Sequence, residues 1–501
     1  MSLARKILSN TAWQVIGKVI TAGLGIISVK LITNYLSPEI YGEYTTIYDY
    51  TALFAIVADF GLFTIAVREM AGGGGDTKVV SKIVSNVLSI RTFLAGASLA
   101  LGAGAAFLIP AYDNSFIPLG VVLVSCATIL TLIAGTISSV LQFYLKMHWA
   151  SIALTLGKVV TVAYIITVIV YLFPSNPEAG FRHLFFAWIA GSLLSVIITF
   201  IASSRLVPIR YEFDFVFWKT VLIKALPYGL ALVLGTIYFR MGTIVMSLFK
   251  LKEQIGFFGV PMRFLEILQI IPHFFMNSVL PTLTMAVAAS NPARTSKIVR
   301  YALNGILALG VPTLVGGYVL AWPITAAVSS PEFLTRRLAD GTVMFGSDLA
   351  LKILLIAVVF TYLHVVLSYT LVAMHRQSEL LWINGIVVII NITLNVILAP
   401  RYGFIGAAVT AVISECIVLI ALFSRVRLRI GNIWDLGFIG KTAFSALLMG
   451  VMLHFLLTPL HDKFQSLSLL ILIPLGGVVF GGSMLATKAL DKEMIAMLRR
   501  R

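Results

Sequence analysis

Charge is what this sequence has least of. Only 12% of its 501 residues are Asp, Glu, Lys or Arg, against roughly 25% in an average soluble domain, which excludes a solvated globular surface around a core of this length. Acid is scarcer than base: 21 Asp and Glu stand against 37 Lys and Arg, for a formal charge of +16. Cysteine is nearly missing. Cys126 and Cys416 each lie inside an apolar stretch, so a disulfide framework and a thiolate metal site are both excluded. The histidines are scattered without metal-ligand spacing, H-E-x-x-H does not occur, and no serine, histidine and acid combine into a hydrolytic set. The Gly72–Gly75 run lacks the Walker lysine and the strand-to-helix context of a phosphate loop and reads as a flexible turn. Soluble segments are short as well: the longest are the link Arg205–Lys224 and the loop around Pro331–Asp348, neither of which can fold a catalytic domain.

What fills the chain is apolar sequence. Hydrophobic residues make up 59%, and the mean hydropathy is +0.99. The apolar runs are about 20 residues long, the length a helix needs to cross a hydrocarbon core, and they lack the alternation of membrane barrels. Helices are then the only spanning element that satisfies every backbone group. The reading is an all-α polytopic membrane protein with fourteen spans, near 11–33, 42–66, 86–109, 117–141, 152–173, 183–204, 225–248, 257–286, 299–321, 349–373, 380–399, 404–424, 438–458 and 467–487. The basic start Met1–Lys6 imitates a secretory signal, but Lys18 interrupts the apolar run and no small-x-small site closes it, so the first span reads as uncleaved.

In a soluble protein the positive charge would suggest nucleic acid; here sorting by membrane side accounts for most of it. Arg182, Lys250, Lys252, Arg336, Arg337, Arg401 and Lys463 fall in loops opposite the N-terminus, and the great majority of the other loop cations share its side. The positive-inside rule then places both termini in the cytoplasm of a cell whose plasma or inner membrane holds the chain.

An internal echo sets YLSPEIYGEY at 35–44 against FKLKEQIGFF at 249–258, with a constant offset that matches Glu39 to Glu253, Gly42 to Gly256 and Tyr44 to Phe258. Both segments join the first and second spans of a six-span block. The chain therefore reads as two pseudo-symmetric six-helix lobes, 1–204 and 205–424, followed by two additional helices and a basic tail, 425–501. Pro227, Pro261, Pro272 and Pro281 are expected bending points.

Polar and small residues recur at helical spacing in four spans: Asn10, Gln14, Gly17, Lys18, Thr21, Gly25 and Ser28 in the first, Thr45, Tyr48, Asp49, Ala52 and Asp59 in the second. The seventh carries Thr236, Arg240, Thr243 and Ser247, and the eighth Gly259, Arg263, Glu266, His273 and Asn277. Such faces avoid lipid and are expected to line a cavity. A cation at bilayer depth costs at least about 2.5–3.5 kcal/mol, yet Lys18, Lys30, Arg91, Lys158, Arg240, Arg263 and Lys352 all fall within spans. Lys30, Arg91 and Lys352 lie near span ends, where snorkelling to the interface is the simpler account. Lys18, Lys158, Arg240 and Arg263 are deeper, and their basic excess suits an anionic headgroup. The competing account is internal pairing, with Glu266 three residues from Arg263 and with Asp49 or Asp59 neutralising Lys18. Asp49, Asp59 and Glu415 are equally candidates for a coupling Na⁺ or H⁺. No other cofactor is implied.

Three stretches carry a resemblance: Leu31–Tyr44, containing Ser37-Pro38-Glu39 and Gly42; Asp59-Phe60-Gly61-Leu62; and Asn391–Glu415, with Asn391 and Asn395, Pro400-Arg401-Tyr402-Gly403, Gly406-Ala407-Ala408 and Ser414-Glu415. Together they resemble the polysaccharide transporter family, the Wzx-like lipid-linked oligosaccharide flippases of the multidrug/oligosaccharidyl-lipid/polysaccharide exporter superfamily. Thr33-Asn34-Tyr35 departs from the family pattern, where an arginine often precedes the leucine, so no family arginine is carried onto that position. The resemblance implies a six-plus-six-plus-two helix plan and a monomeric transporter rather than an enzyme. It implies a cargo of polyprenyl-(pyro)phosphate-linked oligosaccharide, held in a basic cavity at Lys18, Arg91, Lys158, Arg240 and Arg263. Asp49, Asp59, Glu266 and Glu415 are left for ion coupling or ion pairing. Partners implied are membrane lipids, a glycan polymerase and other assembly proteins, and no nucleic acid. Two rivals remain: an Na⁺- or H⁺-coupled exporter of cationic drugs, whose cavity would be acidic or aromatic, and a glycan polymerase or ligase, which would need more outer-loop chemistry than Glu332, Arg336, Arg337, Asp340 and Asp348 provide.

Overall fold

Helix starts are written in the sequence as a capping side chain followed by proline. Ser37 caps α2 (Pro38–Asp59), Asn176 caps α7 (Pro177–Ser204) and Asn291 caps α11 (Pro292–Val319); each side chain accepts a backbone N–H of the first turn, and proline occupies a position whose own N–H would go unused. A computed structural model describes residues 3–72 and 76–489 of the chain. The side chains of Arg5 and Lys6, Gly73–Gly75 of the glycine run, the side chain of Pro227, and Lys492, Arg499, Arg500 and Arg501 of the tail lie outside the described residues.

Twelve helical stretches among the described residues are long and apolar enough to cross a membrane. Two of them are double. Helix α14 (Gln377–Ile430) breaks at Gly403, whose φ of 57° and ψ of −137° lie where a side chain is disfavoured. Its two arms fold together, since Asn391 Nδ2 donates to Ser414 Oγ at 3.1 Å across the break. The stretch Leu436–Ala486 contains α15 (Leu436–Phe464) and α16 (Leu469–Ala486), paired by a Ser483–Ser445 hydroxyl bond of 3.0 Å. The architecture is therefore the all-α, fourteen-span plan expected from the sequence.

The chain divides at Gly256. The first unit, Met1–Gly256, holds α1 (Leu3–Tyr35), α2, α3 (Leu62–Gly72), α4 (Thr77–Ala106), α5 (Ile117–Phe143), α6 (Met147–Thr167), α7, α8 (Phe215–Leu248) and the first turn of α9 (Lys252–Leu268). Small residues set its helix contacts, as in membranes generally. Gly157 of α6 and Gly191 of α7 leave room for each other's backbone, and Ser195 Oγ donates across to Ala153 O at 3.0 Å. The break between α2 and α3 falls at Phe60 and Gly61, both at positive φ, within the Asp59-Phe60-Gly61-Leu62 motif.

The echoed glycines meet in this unit. A β-carbon on Gly42 would strike the carbonyl of Lys252, and one on Gly256 would strike the carbonyl of Pro38. Positions 38 and 42 are the repeat equivalents of 252 and 256, so the contact is the same on both sides, the signature of a local pseudo-two-fold. Glu43 and Lys252 add an ion pair beside it.

The second unit, Phe257–Arg501, runs through the rest of α9, α10 (Ile270–Ala288), α11, α12 (Ala321–Val328), α13 (Ser347–Ala373), α14, α15 and α16. The break between α9 and α10 lies just before Pro272, which has no N–H to give to Leu268 O. Tyr362 of α13 satisfies that carbonyl with its hydroxyl at 3.0 Å. Removing the hydroxyl in Tyr362→Phe leaves a buried acceptor bare and should cost about 1–3 kcal/mol. Thermal unfolding of the detergent-solubilised variant against wild type checks this. The loop joining α12 to α13 holds a small hairpin, Arg336–Arg337 against Val343–Met344, tied down by Asp348, which accepts from Thr335 N at 2.8 Å.

Candidate functional site

The acids deep in the spans all find basic or imidazole partners. Asp49 on α2 is 1% exposed, and its Oδ1 lies 2.6 Å from Nη1 of Arg240 on α8. A carboxylate so removed from water requires a cation or a proton, and arginine is the cation least easily neutralised. Asp59, at the end of α2, pairs with Arg91 of α4, whose Nη1 also donates to Thr136 Oγ1 of α5 at 3.1 Å. In the second unit, Arg263 and Glu266 of α9 pair at 3.0 Å, as their i, i+3 spacing predicted. On α14, Glu415 sits 2.7 Å from Nε2 of His364 on α13.

Two expectations change. Asp49 and Asp59 bind Arg240 and Arg91, where the sequence pointed to Lys18, because pairing is set by which helices pack and α2 packs against α4 and α8. Arg91 does not snorkel. It is 5% exposed, and its guanidinium is engaged by Asp59 and Thr136 within the first unit. Lys18 is exposed on α1, while its stripe is split: Asn10 accepts from the Met147 N–H at 2.7 Å and Gly17 packs on Ser151, so both serve the contact with α6. Lys158 is half-buried, with Nζ 3.9 Å above the ring of Trp188. That ring donates to Tyr44 OH at 3.0 Å; Tyr48 stacks with Phe185, and Tyr44 meets the same ring at a tilt. The aromatic partner of Lys158 and the histidine partner of Glu415 were both missed in the sequence. A signal existed for the second: His364 lies in the middle of an apolar run, and the depth argument applied to the arginines covers it equally.

The segment joining α7 to α8 is strapped to the start of α4. Ser81 Oγ donates to Pro208 O at 2.5 Å, Arg210 N–H to Ser85 Oγ at 3.1 Å and Asp214 N–H to Asn86 Oδ1 at 2.8 Å. Asp214 caps α8 by accepting from Phe217 N–H, and Lys82 lies 3.0 Å away; the backbone donor first and then the ammonium hold its carboxyl below the usual carboxylate range. A depressed value stabilises the fold above the unfolded pKa of about 3.9 and loses that contribution as the pH falls through the folded value. The strap is therefore expected to stay docked at neutral pH and to loosen only below about pH 4, read as faster amide exchange at Asp214 relative to its intrinsic rate.

Comparison with known proteins supplies the family. The family model described as polysaccharide biosynthesis protein matches residues 7–287, more than half the chain. The chain belongs to the polysaccharide biosynthesis protein family. That agrees with the polysaccharide transporter family that the sequence resembles. Solved structures with the same fold include the lipid II flippase MurJ in an inward closed conformation, with a TM-score of 0.70 at 17% identity over 95% of this chain and 98% of that one. A mutant of the Vibrio cholerae MATE transporter VcmN has a TM-score of 0.55 at 16% identity, over 85% of this chain and 98% of that one. An inward-facing multidrug resistance MATE family transporter reaches 0.59 at 16% identity, over 82% and 94%. No protein of curated function matches the polysaccharide biosynthesis chain at the sequence level.

Proposed function

We propose that this family member is a flippase that moves a polyprenyl-(pyro)phosphate-linked oligosaccharide from the cytoplasmic to the outer leaflet of the plasma membrane, with both termini in the cytoplasm. The observation that carries the reading is the excess of base within the spans, where Lys18, Lys30, Arg91, Lys158, Arg240, Arg263 and Lys352 stand against Asp49, Asp59, Glu266 and Glu415. A phosphate entering low dielectric faces an idealised penalty on the order of 20 kcal/mol, and fixed cations with cavity water replace the hydration it loses. Lys18, Lys158, Arg240 and Arg263 are the residues assigned to the headgroup. Arg240 and Arg263 would exchange a carboxylate oxygen for phosphate oxygens as cargo arrives, since a guanidinium fork fits either anion. Arg91, deeply buried behind Asp59, is assigned to supporting that face. A cell-negative potential favours outward movement of the anion by about 2.3 kcal/mol per charge per 100 mV, and a coupled cation, Na⁺ or H⁺, would add to it. A glycan polymerase and other assembly proteins on the outer side would use the product.

The test is leaflet accessibility. In cells depleted of the protein, the lipid-linked glycan should accumulate facing the cytoplasm, inaccessible to a glycan-cleaving enzyme added outside, and re-expression should restore access. Unchanged accessibility, together with resistance to cationic drugs on overexpression, would replace this reading with the drug-exporter one.

A further inference from the structure

We infer that His364 and Glu415 form a proton-binding site in the second unit, and that the ion coupled to transport is H⁺. The inference deepens the flippase reading and rests on it for the word transport, but not for the proton site itself. Glu415 is 5% exposed in the middle of a span, a position where an ionisable group is retained only for a purpose. Its partner is an imidazole 2.7 Å away rather than a fixed cation. Here lies the contrast with Asp49, Asp59 and Glu266, each held by an arginine that keeps its charge at every physiological pH. With neutral imidazole the His364–Glu415 pair carries one negative charge; with one proton added it carries none. Uptake of a proton from water onto the pair, and its later return to water on the other side, therefore switches the site between charged and neutral without any other co-reactant.

The surroundings leave this switch to the pair. Helix α13 packs against α10, α11, α12 and α14. On α10 the titratable side chain is His273, which is exposed. It also lies 3.5 Å from Tyr369 OH, which in turn donates to Asn277 Oδ1 at 3.0 Å. At the level of His364, where Gly310 of α11 packs on Tyr362, α11 presents no charged side chain; Lys297 and Arg300 stand turns away toward its start, and Tyr318 lies near its other end with Lys352 of α13. α12 has no titratable group, α14 offers Glu415 and Cys416 there, and α13 itself contributes Tyr362 and Tyr369. His364 Nδ1 is buried without a hydrogen-bond partner, so a proton placed there has no competing acceptor and the Nε2 side decides the state of the pair. The donor set selects the ion: imidazole binds a proton directly and, once protonated, repels a metal cation, whereas Na⁺ asks for a shell of oxygens.

Infrared titration of the full-length protein in lipid nanodiscs reads the site without any cargo. Lowering the pH should change an imidazole ring band and the carboxylate stretch of the pair together; Glu415→Gln should lose the carboxylate component and His364→Gln the imidazole component. Absence of any pH-dependent band removed by these two variants overturns the proton site. In cells, the limiting ratio of outer- to inner-leaflet glycan should fall about tenfold for each pH unit of gradient collapsed with the potential clamped, the response of one proton per cycle. Glu415→Gln and His364→Gln should export at a low rate that ignores the gradient, and Glu415→Asp should recover part of the response. Export by both variants at the wild-type rate with gradient sensitivity intact, or dependence on Na⁺ in place of pH, overturns the coupling. Should export prove independent of the protein altogether, the flippase reading fails while the infrared band still decides the proton site.

Discussion

Arg240→Ala abolishes surface glycan export and destabilises the protein by about 3–5 kcal/mol, the range for removing one partner of a buried ion pair. Asp49, 1% exposed, is left as a lone carboxylate in the middle of the first unit. Loss of export alone would not separate a cargo contact from a collapsed pair, so the informative variant is the double one. Asp49→Asn with Arg240→Gln replaces two charges by two amides of similar size, which can hydrogen-bond each other, and should recover most of the stability lost in either single change. If Arg240 meets the headgroup, the double variant reaches the membrane at wild-type levels and still exports nothing. If the pair only holds α2 to α8, export returns with stability. The measurement is a cycle of four proteins, each read for unfolding temperature and for outer-leaflet glycan, with stability and export expected to part company in the double variant.

The fold was legible because it depends on properties that add along the chain. Span length and apolar runs each need only local sequence, and the helices follow them even where α14 must be divided at Gly403. The pairings were less legible. Glu266 was found for Arg263 because a helix places i and i+3 together, but Arg240 with Asp49 and Arg91 with Asp59 depend on which helices lie side by side, and no sequence spacing encodes that. The competing account offered Lys18 as the partner of Asp49 or Asp59; packing gave both acids to arginines. The same limit hid Trp188 beneath Lys158, since an aromatic partner carries no charge signal, whereas His364 beside Glu415 was open to the same depth argument as the arginines. The repeat was the exception among long-range features. Its offset matched Gly42 to Gly256, and those two glycines meet, because a duplicated chain brings equivalent positions together about its own axis.

That meeting yields the second large prediction. Gly42→Ala and Gly256→Ala each place a methyl against backbone, the Lys252 carbonyl in one case and the Pro38 carbonyl in the other. A side chain in the way can rotate aside, whereas a helix backbone must move as a whole, and overpacking that forces such shifts costs about 1–3 kcal/mol or more. The displacement would also pull on the Glu43–Lys252 ion pair and on the Ser37 cap one turn away. Because the contact is reciprocal, the two single variants should lose similar stability, and the double variant should lose less than their sum: once the helices have separated to admit one methyl, the second is already accommodated. Serine at either position should behave like alanine, since its β-carbon meets the same carbonyl. A control at Gly23 or Gly104, where a β-carbon meets nothing within 4 Å, should be silent. Unfolding temperature and membrane abundance of these variants against wild type decide the matter, and additive losses would mean that the two glycines do not share one contact.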